Sequence, residues 1–270
     1  MRITTLNCNG LRSAREKGFF DWLAEERPDV LCLQETRLSD ELSENPAFHP
    51  EGYHCYFLNA RKKGYSGVAL FSRVEPDRVI EGDDWETMST EGRYLEARFG
   101  KLSVVSLYIP SGSSGPERQA VKFDFLDIFK EVLLSMRRSR RQYILCGDLN
   151  IAHTVGDIKN WRSNQKNSGF LPEERAWMDW LFGEAGFVDA FRIVNQETDQ
   201  YTWWSNRGRA REKNVGWRID YQVVTPGLKN SIVSAGIYKE RRYSDHAPLT
   251  MAYDVKLVRS AAARAVRKAP

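Results

Sequence analysis

The chain has 270 residues, 41% of them hydrophobic, and a formal charge of +4. That length can bury a sizeable core, and no run approaches the ~18 apolar residues of a membrane-spanning helix, so none is expected. The mild positive balance is compatible with a nucleic-acid partner without requiring one. The four cysteines, Cys8, Cys32, Cys55 and Cys146, lack the CxxC spacing of a zinc site and read as small buried hydrophobes in a reducing compartment.

Arg2 to Leu6 alternates like a half-buried strand, and the chain enters it with no apolar leader, so a cytoplasmic, soluble protein is expected. Ser13 with Glu16 is a capping-box signature for a helix with Phe20 and Leu23 inward, stopped by Pro28. Val30 to Leu33 is a continuous apolar run, read as a fully buried strand, and the polar stretch Arg37 to Pro50 as a loop. Strands are predicted over Tyr53–Leu58, Gly67–Phe71, Arg93–Phe99 and Leu102–Tyr108. After the flexible SGSSGP loop, Pro116 opens the clearest helix, with Val121, Phe125, Ile128, Phe129, Val132 and Met136 on one stripe. It ends in the arginines Arg137, Arg138, Arg140 and Arg141, a solvated end that complements the helix dipole. A strand follows at Tyr143–Cys146, then an irregular polar and aromatic stretch, Ala152 to Leu171, of the kind that often carries function. A helix from Pro172 to Glu184 precedes strands at Tyr201–Trp204, Arg218–Val224, Ile232–Tyr238 and Leu249–Tyr253. No Pro-, Gly- or Ser-rich linker divides the chain, which predicts one domain over residues 1–255. The basic tail 256–270 reads as frayed helix or disorder, with a nucleic-acid contact as one use. Strands outnumber helices and alternate with them, which predicts two sheets covered by helices.

Several apolar runs begin or end in a carboxylate, an amide or a histidine: LCLQET (Glu35), ILCGDLN (Asp148, Asn150), RIDYQVV (Asp220) and YSDHAPL (Asp245, His246), with Asn7 and Asn9 after the first strand. Strand ends that converge on one crevice are where open α/β proteins bind ligands. The set suits a hard divalent cation, a general base and an imidazole, which together equip a site for metal-assisted hydrolysis of a phosphate ester. Glu35 with Asn7 or Asn9 fits the one or two protein ligands that magnesium commonly takes. Asp148 and Asn150, two apart on an extended chain, share a face and can hold one water. Adjacent strand residues point apart, so Asp220 joins Asp245 as a candidate for orienting His246. Tyr108 ends its strand where its hydroxyl can meet a phosphate.

These residues, in this order, resemble the exonuclease III family of abasic-site endonucleases, within the wider endonuclease/exonuclease/phosphatase superfamily. The matching motifs are LNCNGLR, LCLQET, GYSGVALFSR, EGRYLEARF, SLYIPSG, CGDLNIAH, KNSGFLPEERAW, YTWWSNR, NVGWRIDYQ and YSDHAPL, covering Arg2 to about Tyr253. QET, GDLN and SDH mark only the superfamily; KNSGFLPEERAW and GWRIDY are much more specific to the DNA-repair branch. The resemblance implies a four-layered α/β sandwich, two mixed sheets packed face to face with helices outside. It implies Glu35 as the main Mg²⁺ ligand, supported by Asn9 and Asp245, with Mn²⁺ able to substitute. Asp148 would orient or deprotonate the attacking water with help from Asn7 and Asn150, His246 oriented by Asp220 would stabilise the phosphate, and Tyr108 would contact that phosphate or the leaving oxygen. Asn164, Asn167 and Ser168 match a loop that lines an extruded nucleotide, and Trp203, Trp217 and Ile219 an apolar pocket for a sugar without its base. Arg162 and Lys166 beside them would neutralise backbone phosphates, as would Arg207, Arg209 and Arg211. Ser111 departs from the pattern, which has an amide side chain there. The partner implied is double-stranded DNA with abasic sites or blocked 3′ ends, met by a monomer acting on the bacterial nucleoid.

Two rival readings use the same scaffold. One is a catalytically weak or inactive regulator linked to nucleic acid; retention of Glu35, Asp148, Asn150, Asp220, Asp245 and His246 counts against it. The other is a phosphatase of lipids or small molecules, against which both repair-type motifs count.

Overall fold

The computed structural model of the protein describes residues 1–82 and 86–260. Its strands in chain order are β1 (Arg2–Asn7), β2 (Val30–Gln34), β3 (His54–Leu58), β4 (Val68–Ser72), β5 (Arg78–Ile80), β6 (Tyr94–Phe99), β7 (Leu102–Tyr108), β8 (Gln142–Asp148), β9 (Val188–Asp189), β10 (Trp203–Trp204), β11 (Gly216–Trp217), β12 (Asp220–Val224), β13 (Ile232–Ile237) and β14 (Leu249–Tyr253). Among the described residues they form two six-stranded sheets, ordered β13-β14-β1-β2-β4-β3 and β5-β6-β7-β8-β12-β9, and a two-stranded ribbon, β10-β11. The strands between them are short of apolar alternation because they are covered on both faces: β2, β4 and β7 are buried at every position.

Each sheet is mixed, with one parallel pair near its centre. β1 runs parallel to β2, with Asn7 opposite Gln34, and β7 parallel to β8, with Tyr108 opposite Asp148. A parallel pair needs a crossover, supplied by helices Leu11–Glu16 and Phe19–Glu26 in the first sheet and by helix Pro116–Arg138 in the second. The inner faces meet through residues such as Ile3, Val30, Leu70, Val104, Ile144 and Met251. Helix residues Leu11, Phe19 and Trp22 pack on the outside of one sheet, and Phe125, Phe129 and Trp177 on the outside of the other. The expected four-layered sandwich is therefore the observed one. The cysteines are free, with Cys8, Cys32 and Cys146 buried. No helix among the described residues is long and apolar enough to cross a membrane.

Local expectations fail where tertiary contacts set the backbone. Ser13 does not cap a helix: the first helix starts at Leu11, behind Gly10 (φ 101°), because the amides of Gly10 and Leu11 donate to the carbonyls of Glu35 and Thr36 at 2.8 and 2.9 Å. Gly18 (φ 82°) then breaks it from the next helix. The loop after Arg37 holds a short helix, Asp40–Ser43, capped by the Ser39 hydroxyl, and a 3₁₀ turn, Pro46–Phe48, capped by Asn45. The long helix buries Lys122, Phe125, Leu126, Phe129, Leu133 and Met136, a stripe turned away from Ile128, which is 50% exposed. Only Trp203 and Trp204 of the strand expected from Tyr201 pair as a strand. Most of the basic tail lies outside the described residues; before it ends, Leu257 packs against the inter-sheet core and Arg259 pairs with Glu75.

Candidate active site

The carboxyl ends of both parallel pairs open into one cavity of about 950 Å³, lined by Asn7, Glu35, Tyr108, Asp148, Asp245 and His246 among others. β12 starts beside the end of β8, so Asp220 is directly opposite Asp148 in the antiparallel register. Two parallel crossovers and two antiparallel neighbours, β12 beside β8 and β14 beside β1, thus bring acids from four distant segments to one place.

Asp148 is buried. Its Oδ2 accepts from the Asn7 side-chain amide at 2.9 Å, and its Oδ1 from the Asn150 backbone amide at 2.8 Å. The second bond closes an Asx turn, so the extended-chain argument for a shared face does not apply: β8 ends at Asp148 and Asn150 has φ 52°. The turn still brings the Asn150 side chain within 3.3 Å of Asp148 Oδ2, where its amide also donates to the Ile109 carbonyl at 2.9 Å. Asp245 sits at a bend ahead of β14 and His246 bridges to Trp203, and both line the cavity although they are adjacent. His246 Nδ1 is 2.8 Å from Asp220 Oδ2, and its Nε2 is 3.9 Å from Asp148 Oδ2.

Burial pushes the Asp148 carboxyl up to about 7, with the His246 imidazole opposing and Asp220 reinforcing. Burial alone would lower His246, but Asp220 against its ring, with Asp148 and Asp245 near, carries it up to about 10. At neutral pH the ring is an imidazolium that donates from Nδ1 to Asp220 and has Nε2–H to offer the cavity. Tyr108 is held protonated, first by burial and then by the charges of Glu35 and Asp148, and its hydroxyl donates to Glu35 Oε2 at 3.1 Å.

Glu35 accepts from Asn7 at 3.1 Å on Oε2 and from Arg37 Nε at 3.0 Å on Oε1. Asp245 accepts from Asn9 at 2.8 Å and from the Trp203 indole at 3.1 Å. Burial works to raise Asp245, but His246 and those two donors overcome it and hold the carboxyl below its ordinary value. Asn9 (φ 45°), Glu35 (φ 55°), Arg37 (φ 54°) and Asn150 (φ 52°) adopt left-handed backbone, a conformation that costs about 1–3 kcal/mol each and collects at functional sites.

Of the groups that could hold a metal, Asp148, Asp220 and His246 are closest together, with ligand atoms within 4.8 Å of one another. An imidazolium has no lone pair to give, so this trio suits proton handling better than ligation. The oxygen donors of Glu35, Asp245 and Asn9 suit a hard cation, and Glu35 already draws a positive partner in Arg37.

The apolar wall is made by Trp203 and Trp217, edge to face at 6.0 Å, and by Ile219. Lys166, Asn167 and Ser168 line the cavity as well. The structure does not bring Asn164 or Arg162 into this cavity. Asn164 lines a neighbouring groove behind the same two tryptophans, and Arg162 lies over the Trp161 ring at a third one. Sequence reading missed Arg37 and Arg93. Arg93 is buried, stacks over the Tyr108 ring at 4.7 Å and donates to Tyr65, Glu91 and the Tyr108 carbonyl. Its only sequence signal was its place in EGRYLEARF, since an isolated arginine normally reads as surface.

The profile of the Endonuclease/Exonuclease/phosphatase family matches residues 4–246. The chain belongs to that family. A Bacillus subtilis exodeoxyribonuclease is 40% identical over 94% of this chain and 100% of its own length. A zebrafish (Danio rerio) DNA repair nuclease, APEX1, is 39% identical over 93% of this chain and 81% of its own. The solved structure of an AP endonuclease from Archaeoglobus fulgidus superposes with a TM-score of 0.86 at 31% identity, covering 94% of this chain and all of that one. The resemblance to exonuclease III and AP endonucleases read in the motifs is thereby borne out for this family member.

Proposed function

We propose that this family member is a Mg²⁺-dependent DNA-repair phosphodiesterase that cuts on the 5′ side of an abasic nucleotide and trims blocked 3′ ends. The observation that carries the reading is a buried carboxylate, Asp148, set between two amides and an Asp220–His246 pair, facing an apolar wall of Trp203, Trp217 and Ile219. One side has the equipment to hydrolyse a phosphate ester; the other can receive a sugar that lacks its base. Extruding a nucleotide costs least where no base is stacked, so a tight apolar pocket favours abasic DNA.

In this reading Asp148 takes the proton of the attacking water, and Asn7 and Asn150 fix that water's position. His246 donates Nε2–H to a phosphoryl oxygen as negative charge builds, held in place by Asp220. Tyr108, kept neutral, donates to the same phosphate. Glu35, Asn9 and Asp245 would hold Mg²⁺, which when bound supplies Lewis-acid polarisation of the phosphoryl group; Mn²⁺ meets the same donor chemistry. Asn167, Ser168 and Lys166 meet the extruded nucleotide and its backbone, with Asn164 and Arg162 at the rim. The bond from phosphorus to O3′ breaks as the water oxygen bonds to phosphorus, the leaving oxygen takes a proton from solvent, and the products are a 3′-hydroxyl and a 5′ deoxyribose phosphate. The setting is the cytoplasm, with nucleoid DNA as substrate and a monomer as the working unit.

A 5′-labelled duplex with one central abasic analogue, beside an undamaged duplex, tests this with Mg²⁺ and with EDTA. A single cut at the lesion that needs Mg²⁺ is expected. Trimming from 3′ ends alone would keep the chemistry and remove the abasic specificity. No cleavage of either duplex would replace the reading with a non-catalytic regulator.

A further inference from the structure

A buried ion pair beside the cavity has no part in the proposed mechanism. Lys122, on the long helix Pro116–Arg138, meets Glu174, on helix Pro172–Phe182, at 2.5 Å, and neither side chain has any exposure. Burial draws the Lys122 ammonium below its ordinary pKa while Glu174 pulls it back up. A buried ion pair is a weak source of stability, because the two desolvation costs roughly cancel the attraction. Its other contacts point to a different use. Lys122 Nζ also donates to the Asn150 carbonyl at 2.8 Å. Glu174 Oε2 accepts from the Gly169 and Leu171 amides at 2.6 and 3.0 Å, and its Oε1 from Gln119 at 3.1 Å.

The pair therefore ties two parts of the cavity to one point. Asn150 is the left-handed residue (φ 52°) whose amides grip Asp148. Gly169 follows Asn167 and Ser168, and it is wedged so tightly that a Cβ there would lie 3.0 Å from both the Asn150 carbonyl oxygen and the Trp217 ring. The loop that faces the substrate, the residue that steadies the base and the apolar wall thus meet over Lys122 and Glu174.

We propose that Lys122 and Glu174 are positioning residues: Lys122 fixes Asn150 against Asp148, and Glu174 fixes the Asn167–Gly169 segment against the apolar wall. The proposal rests on the phosphodiesterase reading. Lys122→Met alone would leave a buried unpaired carboxylate and endanger folding, so the test pairs it. Lys122→Met with Glu174→Gln removes both charges, and the new amide oxygen still accepts from Gly169 and Leu171. This variant should melt cooperatively and keep its KM for abasic duplex within about two-fold, with kcat down roughly 10- to 100-fold as Asn150 loses its clamp. Lys122→Met with Glu174→Leu frees the loop as well. It should raise KM and cut the preference for abasic over undamaged DNA by about ten-fold. Unchanged kcat and KM in the folded Met/Gln variant would overturn the proposal.

Hydrogen exchange on the unaltered protein gives a second readout that needs neither a variant nor activity. The Gly169 and Leu171 amides should exchange at least about a hundred-fold more slowly than those of residues 162–166. Equal rates would overturn the hold on the loop. A wild-type protein that cuts no DNA would defeat the phosphodiesterase reading, and hydrogen exchange would still judge the pair.

Discussion

The cavity has two kinds of wall, and they rest on different physics. On one side Asn7, Asp148, Asp220 and His246 stand at strand ends, each 5% exposed or less and held by bonds from other segments. The other is a loop whose Lys166 and Asn167 are exposed and which bonds largely within itself, as Asn167 does to Asn164 at 2.8 Å. Chemistry that depends on fractions of an ångström belongs on the first wall, because sheet register fixes it. Contact with a long, flexible polyanion belongs on the second, where charge matters more than exact placement. Substitutions on the two walls should therefore fail differently, the first in kcat and the second in KM and salt dependence.

The largest effect is expected at Asp148. Asp148→Asn removes the base while keeping a side chain of the same shape, and kcat on abasic duplex should fall at least about 10³-fold with the melting temperature held or raised. A kcat within ten-fold of wild type in the folded variant would take the base role from Asp148. Next is Asp220→Asn, expected to cost roughly 10²-fold because His246 loses the charge that orients it and keeps it protonated. The sign of its pH effect is fixed. A histidine raised by an anionic partner loses its proton at lower pH once that anion is gone, so the alkaline fall in activity should move to lower pH. An unmoved alkaline limb would show that another group carries it.

The smallest effects belong to the loop. Lys166→Ala should leave kcat within about two-fold, raise KM several-fold and lower the slope of log affinity against log salt by about 1. Arg162→Ala should do less, because Arg162 lies over Trp161 outside the cavity. Equal losses at both positions would mean that the DNA track runs further from the cavity than its lining indicates.

What the sequence made legible follows the same division. Continuous apolar runs such as Val30–Leu33 gave the buried strands away, and the acids at their ends announced themselves because a charge after such a run has few bland uses. Three kinds of feature were hidden. Backbone tied by distant partners was one: Gly10 and Leu11 start a helix because they bond to Glu35 and Thr36, which no local signal around Ser13 reports. Helical phase was another. The stripe through Ile128 and the true stripe through Lys122 differ by a fraction of a turn, and a lysine argues against its own burial. The third was buried cations, Arg93 and Lys122, whose partners Glu91 and Glu174 are far from them in sequence or read as surface acids. Asn150 stands beside Asp148 as expected but by another route, an Asx turn rather than the shared face of an extended chain.

The central claim is that Asp148 works as a carboxylate and His246 as an imidazolium. The pH dependence of single-turnover cleavage of abasic duplex at saturating Mg²⁺ tests it most directly. Asp148 accepts a proton only when ionised, so the rate should rise with pH through about 7. His246 donates only when protonated, so the rate should hold above that and fall towards about 10. The rising limb should vanish in the residual activity of Asp148→Asn. A wild-type rate that stays flat from pH 5.5 to pH 8.5, on the order of three decades of proton activity across the pKa expected of a buried base, would contradict the account.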